Sequence, residues 1–383
     1  MDKRELTILP VISISPSKIC TYSEVHWTPT RPCRGATFVN LEPDKPLNPK
    51  FINSTRTAEG LISKNARKKI STALDYLLLM SSDKTVKIKK LNKTVKFKIC
   101  FITLTLPSAQ IHSDNIIKTK ILGSFLVELT KYHNVKNYIW RAEKQKNGNI
   151  HFHVIIDQFV LYNELRKRWN RICNKLGYVD VYQSNMQQYF SNGFRLSNNN
   201  SDKRTRDQQL KAYQIALKSN FTSPNSTDIH QVKYISNIKA YISKYLSKNE
   251  IVSIRIVHKY INGLEKLNED EQRIFDKLSN ADIEKYKKIN LNEAEKLLCK
   301  GRLWSCNENL SDIKNAREYI DFEIDKALTE TIAKSKCKSF SSDYYSVYYI
   351  SLDQLKVLSP DVLFLYFAKY MIDQFHFSMQ LVT

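Results

Sequence analysis

The chain has 383 residues, enough for one large or two modest domains with a sizeable core. Sixty Lys and Arg stand against 38 Asp and Glu, a formal charge of +22, which points to a polyanionic partner, nucleic acid before an anionic membrane surface. Seven cysteines (Cys20, Cys33, Cys100, Cys173, Cys299, Cys306 and Cys337) are scattered singly without a CxxC pair, which argues against a disulfide framework and against a zinc ribbon or finger.

The first residues, Met1-Asp2-Lys3-Arg4-Glu5, carry no apolar signal core. The most apolar run, Val362 to Ile372, is interrupted by Lys369 and is too short to span a bilayer. A reducing, cytoplasmic setting without membrane contact is the expectation.

Residues 1–60 are rich in Pro, Thr, Asn and Arg and show little periodicity, so an irregular arm is expected there. A helix reads from Ser63 to Met80. Leu61, Ala66, Ile70, Ala73, Leu74 and Leu77 follow helical spacing, and Lys64, Arg67, Lys68 and Lys69 form a basic face. Arg67 and Lys68, like the lysines of 87–98, are candidates for holding a nucleic-acid backbone; a solvated basic face accounts for them equally well. From Lys84 to Lys98, Lys alternates with Val, Ile and Phe. Phe101-Ile102-Thr103-Leu104-Thr105-Leu106-Pro107 then reads as a strand stopped by proline.

A helix follows at about 115–132, then a strand at 137–143. Asn147-Gly148 marks a hairpin turn into the strand Ile150-His151-Phe152-His153-Val154-Ile155-Ile156. A helix is expected at 162–176, a short strand at 178–182, a polar mobile loop at 191–207, a strand at 229–235 and a helix at 237–248. Residues 265–300 look helical and strongly charged, and 344–350 read as an aromatic strand. A last helix starts at Ser359-Pro360-Asp361, with Ser as N-cap and Pro in the first turn. No internal repeat is seen. Strands and helices mix around at least one tight hairpin. The pattern therefore predicts an α+β fold, an antiparallel or mixed sheet with helices packed on it rather than a doubly wound parallel sheet.

Alternate residues of a strand share a face, so His151 and His153 project together while Phe152 turns into the opposite layer with Ile150 and Val154. Two imidazoles on one face can ligate one divalent cation; they can equally be two half-exposed residues on a sheet surface. Glu143 lies across the Asn147-Gly148 turn. A three-residue loop of Lys146, Asn147 and Gly148, with Gly148 left-handed, pairs Gln145 with Asn149 and sets Glu143 opposite His151. A two-residue turn sets Glu143 opposite Phe152, on the wrong face. The first register yields two imidazoles and a carboxylate, which suit Mn²⁺ and accept Mg²⁺; the lack of nearby thiols disfavours structural zinc.

The second informative stretch is Lys239-Ala240-Tyr241-Ile242-Ser243-Lys244-Tyr245-Leu246-Ser247-Lys248. On a helix Tyr241 and Tyr245 share one face about 6 Å apart, and Lys244 and Lys248 repeat the offset. An amphipathic helix packing its tyrosines on a sheet explains the pattern. So does chemistry: a phenol with a pKa of about 10 is a poor nucleophile at neutral pH, and a nearby ammonium favours its phenolate.

The order of Phe101–Pro107, His151-Phe152-His153 and Tyr241–Lys248 resembles the three motifs of rolling-circle replication initiators of the HUH (His, hydrophobe, His) endonuclease superfamily. The paired tyrosines with interleaved lysines are most similar to the initiators of small single-stranded DNA bacteriophages and related plasmids. The resemblance covers about residues 98–249. It implies a central five-stranded antiparallel sheet with flanking helices, ferredoxin- or RRM-like, with the HUH strand in its middle and the tyrosine helix beside it. It also implies Mg²⁺ or Mn²⁺ dependence and nicking of single-stranded origin DNA through a 5′-phosphotyrosine intermediate that frees a 3′-OH primer. Carried over by residue, His151, His153 and, less firmly placed, Glu143 would be metal ligands. Tyr241 and Tyr245 would be nucleophiles, and Lys244 and Lys248 would support the phosphate and phenolate. Thr103 and Thr105 would lie near the DNA. The setting would be a bacterial host cytoplasm.

The expected organisation is an arm at 1–60, a nuclease domain at 61–255 with an extension to about 320 left open, and a mostly helical region of unknown role at 256–383. No G-x-x-x-x-G-K-[ST] phosphate loop occurs, so a separate helicase is expected beside a host or viral DNA polymerase. A relaxase or an HUH transposase would share the nicking chemistry, although no N-terminal zinc cluster supports the transposase. A non-catalytic single-strand-binding protein would use the 21 tyrosines for stacking but leaves the histidine spacing unexplained. A capsid or scaffold protein explains neither motif. The oligomeric state is not legible.

Overall fold

In the computed structural model, residues 4–29, 62–88, 92–145, 147–197, 204–232, 250–263, 266–292 and 298–375 are described. They fall into two compact units, one formed within residues 55–310 and the other by residues 1–54 together with 311–383.

The chain opens with a long hairpin, β1 (Arg4–Ser15) and β2 (Lys18–Pro29), paired antiparallel along its whole length. The irregular arm expected for residues 1–60 is therefore corrected over residues 4–29; the rest, 30–61, lies outside the described residues. Periodicity hides the hairpin because Val11 and Ile12, neighbours in sequence, are both fully buried. A strand covered on both faces loses the alternation that marks a half-buried one.

The unit within 55–310 begins with α1 (Lys64–Met80), whose first free N–H groups include Ala66, bound by the Ser63 hydroxyl at 3.1 Å. Ile70, Ala73, Leu74, Leu77 and Leu78 form its buried stripe. The Lys-alternating segment is a separate two-stranded ribbon, β3 (Lys84–Ile88) and β4 (Lys93–Phe97). Next comes β5 (Ile99–Thr105), then α2, a helix over residues 114–133 that contains one wide π-helical stretch at Ile117–Leu122. Then follow β6 (Tyr138–Lys144), β7 (Ile150–Ile156), α3 (Tyr162–Asn174), α4 (Tyr178–Tyr189), α5 (Arg206–Lys218) and β8 (Thr227–Val232). Helices α6 (Glu250–Asn262), α7 (Glu269–Phe275) and α8 (Asn280–Lys287) and the short strand β9 (Trp304–Cys306) complete it.

Five of these strands form an antiparallel sheet in the order β8-β5-β7-β6-β9, with β7 in the centre. This is the α+β architecture expected, with the His-Phe-His strand in the middle. Ile150, Phe152, Val154 and Ile156 of β7 are fully buried. Phe152 meets Trp140 and Trp169 edge-on, and Trp169 in turn meets Phe125, so α2 and α3 back this face of the sheet. The Trp169 indole N–H is satisfied by the Thr105 carbonyl at 2.7 Å.

Residues 178–182, expected as a strand, are instead the first turn and a half of α4. Gly177 enters at φ +77, and the Asn174 side-chain oxygen accepts from Val179 N (3.1 Å) and Asp180 N (3.0 Å), capping the helix start. The loop expected to end at 207 gives way to α5 at Arg206, capped by Thr205. Residues 233–249, with most of the strand end and all of the helix expected at 237–248, lie outside the described residues.

The second unit has its own five-stranded sheet, order β10-β1-β2-β12-β11, in which β10 (Ala316–Tyr319), β11 (Ser339–Ser341) and β12 (Tyr345–Tyr348) join the N-terminal hairpin. Helices α9 (Phe322–Ser335), α10 (Leu352–Leu358) and α11 (residues 360–375) belong to the same unit. Ser359 caps α11 through Leu363 N at 3.3 Å, with Pro360 in the first turn, as its sequence predicts. Among the described residues no helix is long and apolar enough to cross a membrane.

Candidate metal centre

The register of one hairpin makes the site. Gln145 N–H donates to Asn149 O at 2.9 Å, Gly148 N–H donates to Gln145 O at 2.9 Å, and Gly148 sits at φ +82. Glu143 therefore pairs with His151 and Arg141 with His153. Of the two registers open to the sequence, this is the three-residue loop.

Neighbouring segments lock the hairpin end. The Gln110 side-chain oxygen accepts from Ile150 N (2.7 Å) and Lys144 Nζ (3.2 Å), while Gln110 N donates to Asn149 Oδ1 at 2.8 Å. Behind Gln110, Asp114 is buried and takes Lys144 Nζ and Gln110 Nε2, both at 2.7 Å, and Lys300 N at 2.8 Å. Together these contacts resist a slip of one residue, which would send Glu143 to the other face.

Glu143, His151 and His153 each offer one ligand atom, and the three atoms lie within 4.8 Å of one another. His153 Nε2 is 2.9 Å from Glu143 Oε1, and the two imidazole rings stand 4.5 Å apart, nearly perpendicular. His153 is buried, with Phe101 against its ring at 5.1 Å. Its Nδ1 lies 3.4 Å from the Thr103 hydroxyl, which helps orient the ring. Burial, and secondarily the neighbouring His153, push the His151 pKa down to about 4, so its ring is neutral and able to ligate at pH 7. For Glu143 burial works against ionisation. The His153 hydrogen bond and the nearby His153 and Arg141 charges outweigh it and hold the carboxyl below its usual range. Two neutral-capable imidazoles and an ionised carboxylate on one point can hold a divalent cation.

Thr105, also opposite His151, spends its hydroxyl on Ser226 O at 3.1 Å. Thr103 thus belongs to the site through His153, and Thr105 braces the β5–β8 edge. Arg67 and Lys68 are exposed on α1. Arg67 lies close enough to act on the charge of Arg141; no contact joins Lys68 to the cluster among the described residues. Tyr241, Lys244, Tyr245 and Lys248 lie outside the described residues.

Sequence reasoning passed over Arg141. It precedes Glu143 by two on β6, so strand alternation alone puts both on one face. Burial is the main cause that lowers its pKa, opposed by the Glu143 carboxylate. Asp228, opposite Thr103 on β8, was likewise passed over and shares this face.

Residues 99–250 match a family model described as replication-associated protein ORF2. No curated protein and no solved structure matches the chain. The matched segment runs from β5 to the start of α6 and contains the whole Glu143–His151–His153 cluster. The match supports a role in initiating DNA replication.

Proposed function

We propose that this chain is a two-tyrosine rolling-circle replication initiator of the HUH type, which nicks one strand of origin DNA and later rejoins the displaced strand. One observation carries the reading: three metal-ligating groups meet on the central strand of an antiparallel sheet, inside the segment that matches the replication-associated family.

Glu143, His151 and His153 would hold Mn²⁺ or Mg²⁺. Bound there, the cation would make the scissile phosphorus more electrophilic and offset the charge that builds on its non-bridging oxygens. The phenolic oxygen of Tyr241 or Tyr245 attacks that phosphorus after losing its proton to solvent. The bond from phosphorus to the 3′ oxygen breaks, and the leaving oxygen takes up a proton as a free 3′-OH. The phosphate stays on the tyrosine at the 5′ end of the cut strand. Because the phosphodiester's energy is kept in the new ester, a second attack can reseal the strand, and a second tyrosine allows the two transfers to alternate. Lys244 and Lys248 favour the phenolate and support the phosphate. A separate polymerase extends the 3′-OH, and a separate helicase opens the duplex.

The test is a denaturing gel of purified protein with end-labelled single-stranded origin oligonucleotides and Mn²⁺ or Mg²⁺. The label 3′ of the nick should shift to the size of a protein adduct, and the other fragment should end in a 3′-OH that a polymerase extends. Tyr241→Phe with Tyr245→Phe should abolish the adduct and leave charge-driven binding nearly intact. A persistent adduct in the double variant would assign the nucleophile elsewhere. Absence of any adduct across candidate origins would leave the single-strand-binding reading in its place.

A further inference from the structure

The proposed chemistry leaves one charged group on the site face without a task. Arg141 stands directly opposite His153 and two residues before Glu143, so all three share a face. Its Nε and Nη1 are closed to solvent and hydrogen-bond to nothing among the described residues. A guanidinium carries five donors and no acceptor. Enclosed with donors unmet, it destabilises the fold unless an anion meets it.

Glu143 is the acid nearest in the register, but its Oε1 faces His153 Nε2 at 2.9 Å. The other acid that the register places on this face, Asp228, stands on β8, with β5 and β7 between it and β6. Meanwhile α1 packs against β6 and brings Arg67 within electrostatic reach of Arg141. Two guanidinium groups held near one another repel, so the fold gains nothing from their approach. An anion from outside reverses that sign. A divalent cation on the triad would add further positive charge to the same face and strengthen the requirement.

We propose that Arg141, assisted by Arg67, forms a phosphate subsite beside the metal centre and holds a backbone phosphate of a single DNA strand against it. Arg141 is half-buried as a whole residue, so it is reached from the open side of the sheet. A turn about its terminal torsions presents Nε and Nη1 as a fork to two phosphate oxygens, the geometry for which arginine is better suited than lysine. This subsite rests on the reading that the ligand is DNA, but it concerns binding and not cleavage.

The experiment therefore measures binding. A short fluorescent single-stranded oligonucleotide is titrated in the presence of Mn²⁺ over a range of salt, and Mn²⁺ alone is titrated separately, for wild type, Arg141→Gln, Arg141→Lys and Arg67→Ala. Arg141→Gln should lose tenfold or more in oligonucleotide affinity, and its log–log salt slope should shrink by about 0.7, one phosphate contact on a single strand. It should bind Mn²⁺ alone as tightly as wild type or more tightly, because a positive charge has left the cation's neighbourhood. Arg141→Lys keeps the charge and loses the fork, so affinity should fall severalfold at nearly unchanged slope. Arg67→Ala should lower both slope and affinity less than Arg141→Gln.

The opposite pattern overturns the proposal: weakened Mn²⁺ binding with unchanged oligonucleotide affinity would make Arg141 the counterion of Glu143. Should Arg141→Gln fail to melt cooperatively, Arg141→Lys decides, and unchanged oligonucleotide affinity there is equally fatal. Wild type that binds the strand through Arg141 yet forms no adduct would sink the nicking reading and leave the subsite standing.

Discussion

His153 concentrates the site's dependence in one side chain. One ring nitrogen faces Glu143 at 2.9 Å and the other lies 3.4 Å from Thr103. A cation and a proton compete for the lone pairs between His153 and Glu143, so metal affinity should fall in acid. His153→Ala should weaken Mn²⁺ binding by a hundredfold or more in a calorimetric titration, and Thr103→Val by about tenfold, the usual effect of losing a group that orients a ligand. Unchanged Mn²⁺ affinity in His153→Ala would remove it from the ligand set. Asp114 gives a separate test, of stability. Burial raises its pKa, but the Lys144 hydrogen bond, the Lys300 N–H, the Gln110 amide and the Lys144 charge together bring it below its ordinary value. A depressed folded value gives stabilisation that is complete above the ordinary value, about 3.9, and is lost as pH falls through the lower folded one. Wild-type melting temperature should therefore drop steeply below about pH 4. Asp114→Asn should be less stable at pH 7 by about 3 kcal/mol, since it strands a buried Lys144, and should show a flatter acid limb. Melts of both proteins between pH 7 and 3 check this.

The β6–β7 hairpin is the element on which the site is built. Gly148 has φ +82, and a Cβ there would meet nothing within 4 Å. Gly148→Ala should therefore cost only backbone strain, about 1–2 kcal/mol. Denaturant titration should show that loss, with Mn²⁺ affinity kept wherever the variant is folded; a gain in stability would contradict the left-handed turn. The turn itself is legible from Asn147-Gly148, and the face of the two histidines from strand alternation. The register is not. Gln110, Ser108 and Asn149 are distant in sequence or unremarkable in type, yet Asn149 also donates to Ser108 O at 2.9 Å, and these contacts pin the loop. Helix α4 shows the converse error. Tyr178-Val179-Asp180-Val181-Tyr182 has strand-like residues, but Gly177 and the Asn174 cap commit it to a helix, and Tyr178 and Val179 are buried side by side.

At the scale of the molecule, the N-terminal hairpin and the C-terminal strands make one sheet, although nearly 290 residues separate Pro29 from β10 (Ala316–Tyr319). Deleting residues 1–29 removes the partners of both β10 and β12. Amides of 316–319 and 345–348 should then exchange quickly in hydrogen-exchange mass spectrometry, while those of 150–156, which lie in the other sheet, should keep their protection. Retained protection at the C-terminal strands would show that they do not need the hairpin. The charge of +22 belongs to this scale as well. It describes attraction to polyanions and does not say where on the surface contact is made.

Alternation, helical spacing and turn residues act over a few neighbours, so the sequence alone established α1, the strands β5 to β7, the shared face of His151 and His153, and a charge suited to nucleic acid. Pairing between distant segments depends on which surfaces can be buried together and which hydrogen bonds can be closed at once. Only the tertiary structure therefore decided that Glu143 stands opposite His151, that Arg141 joins them with donors unmet, and that the first thirty residues complete a sheet with the last seventy.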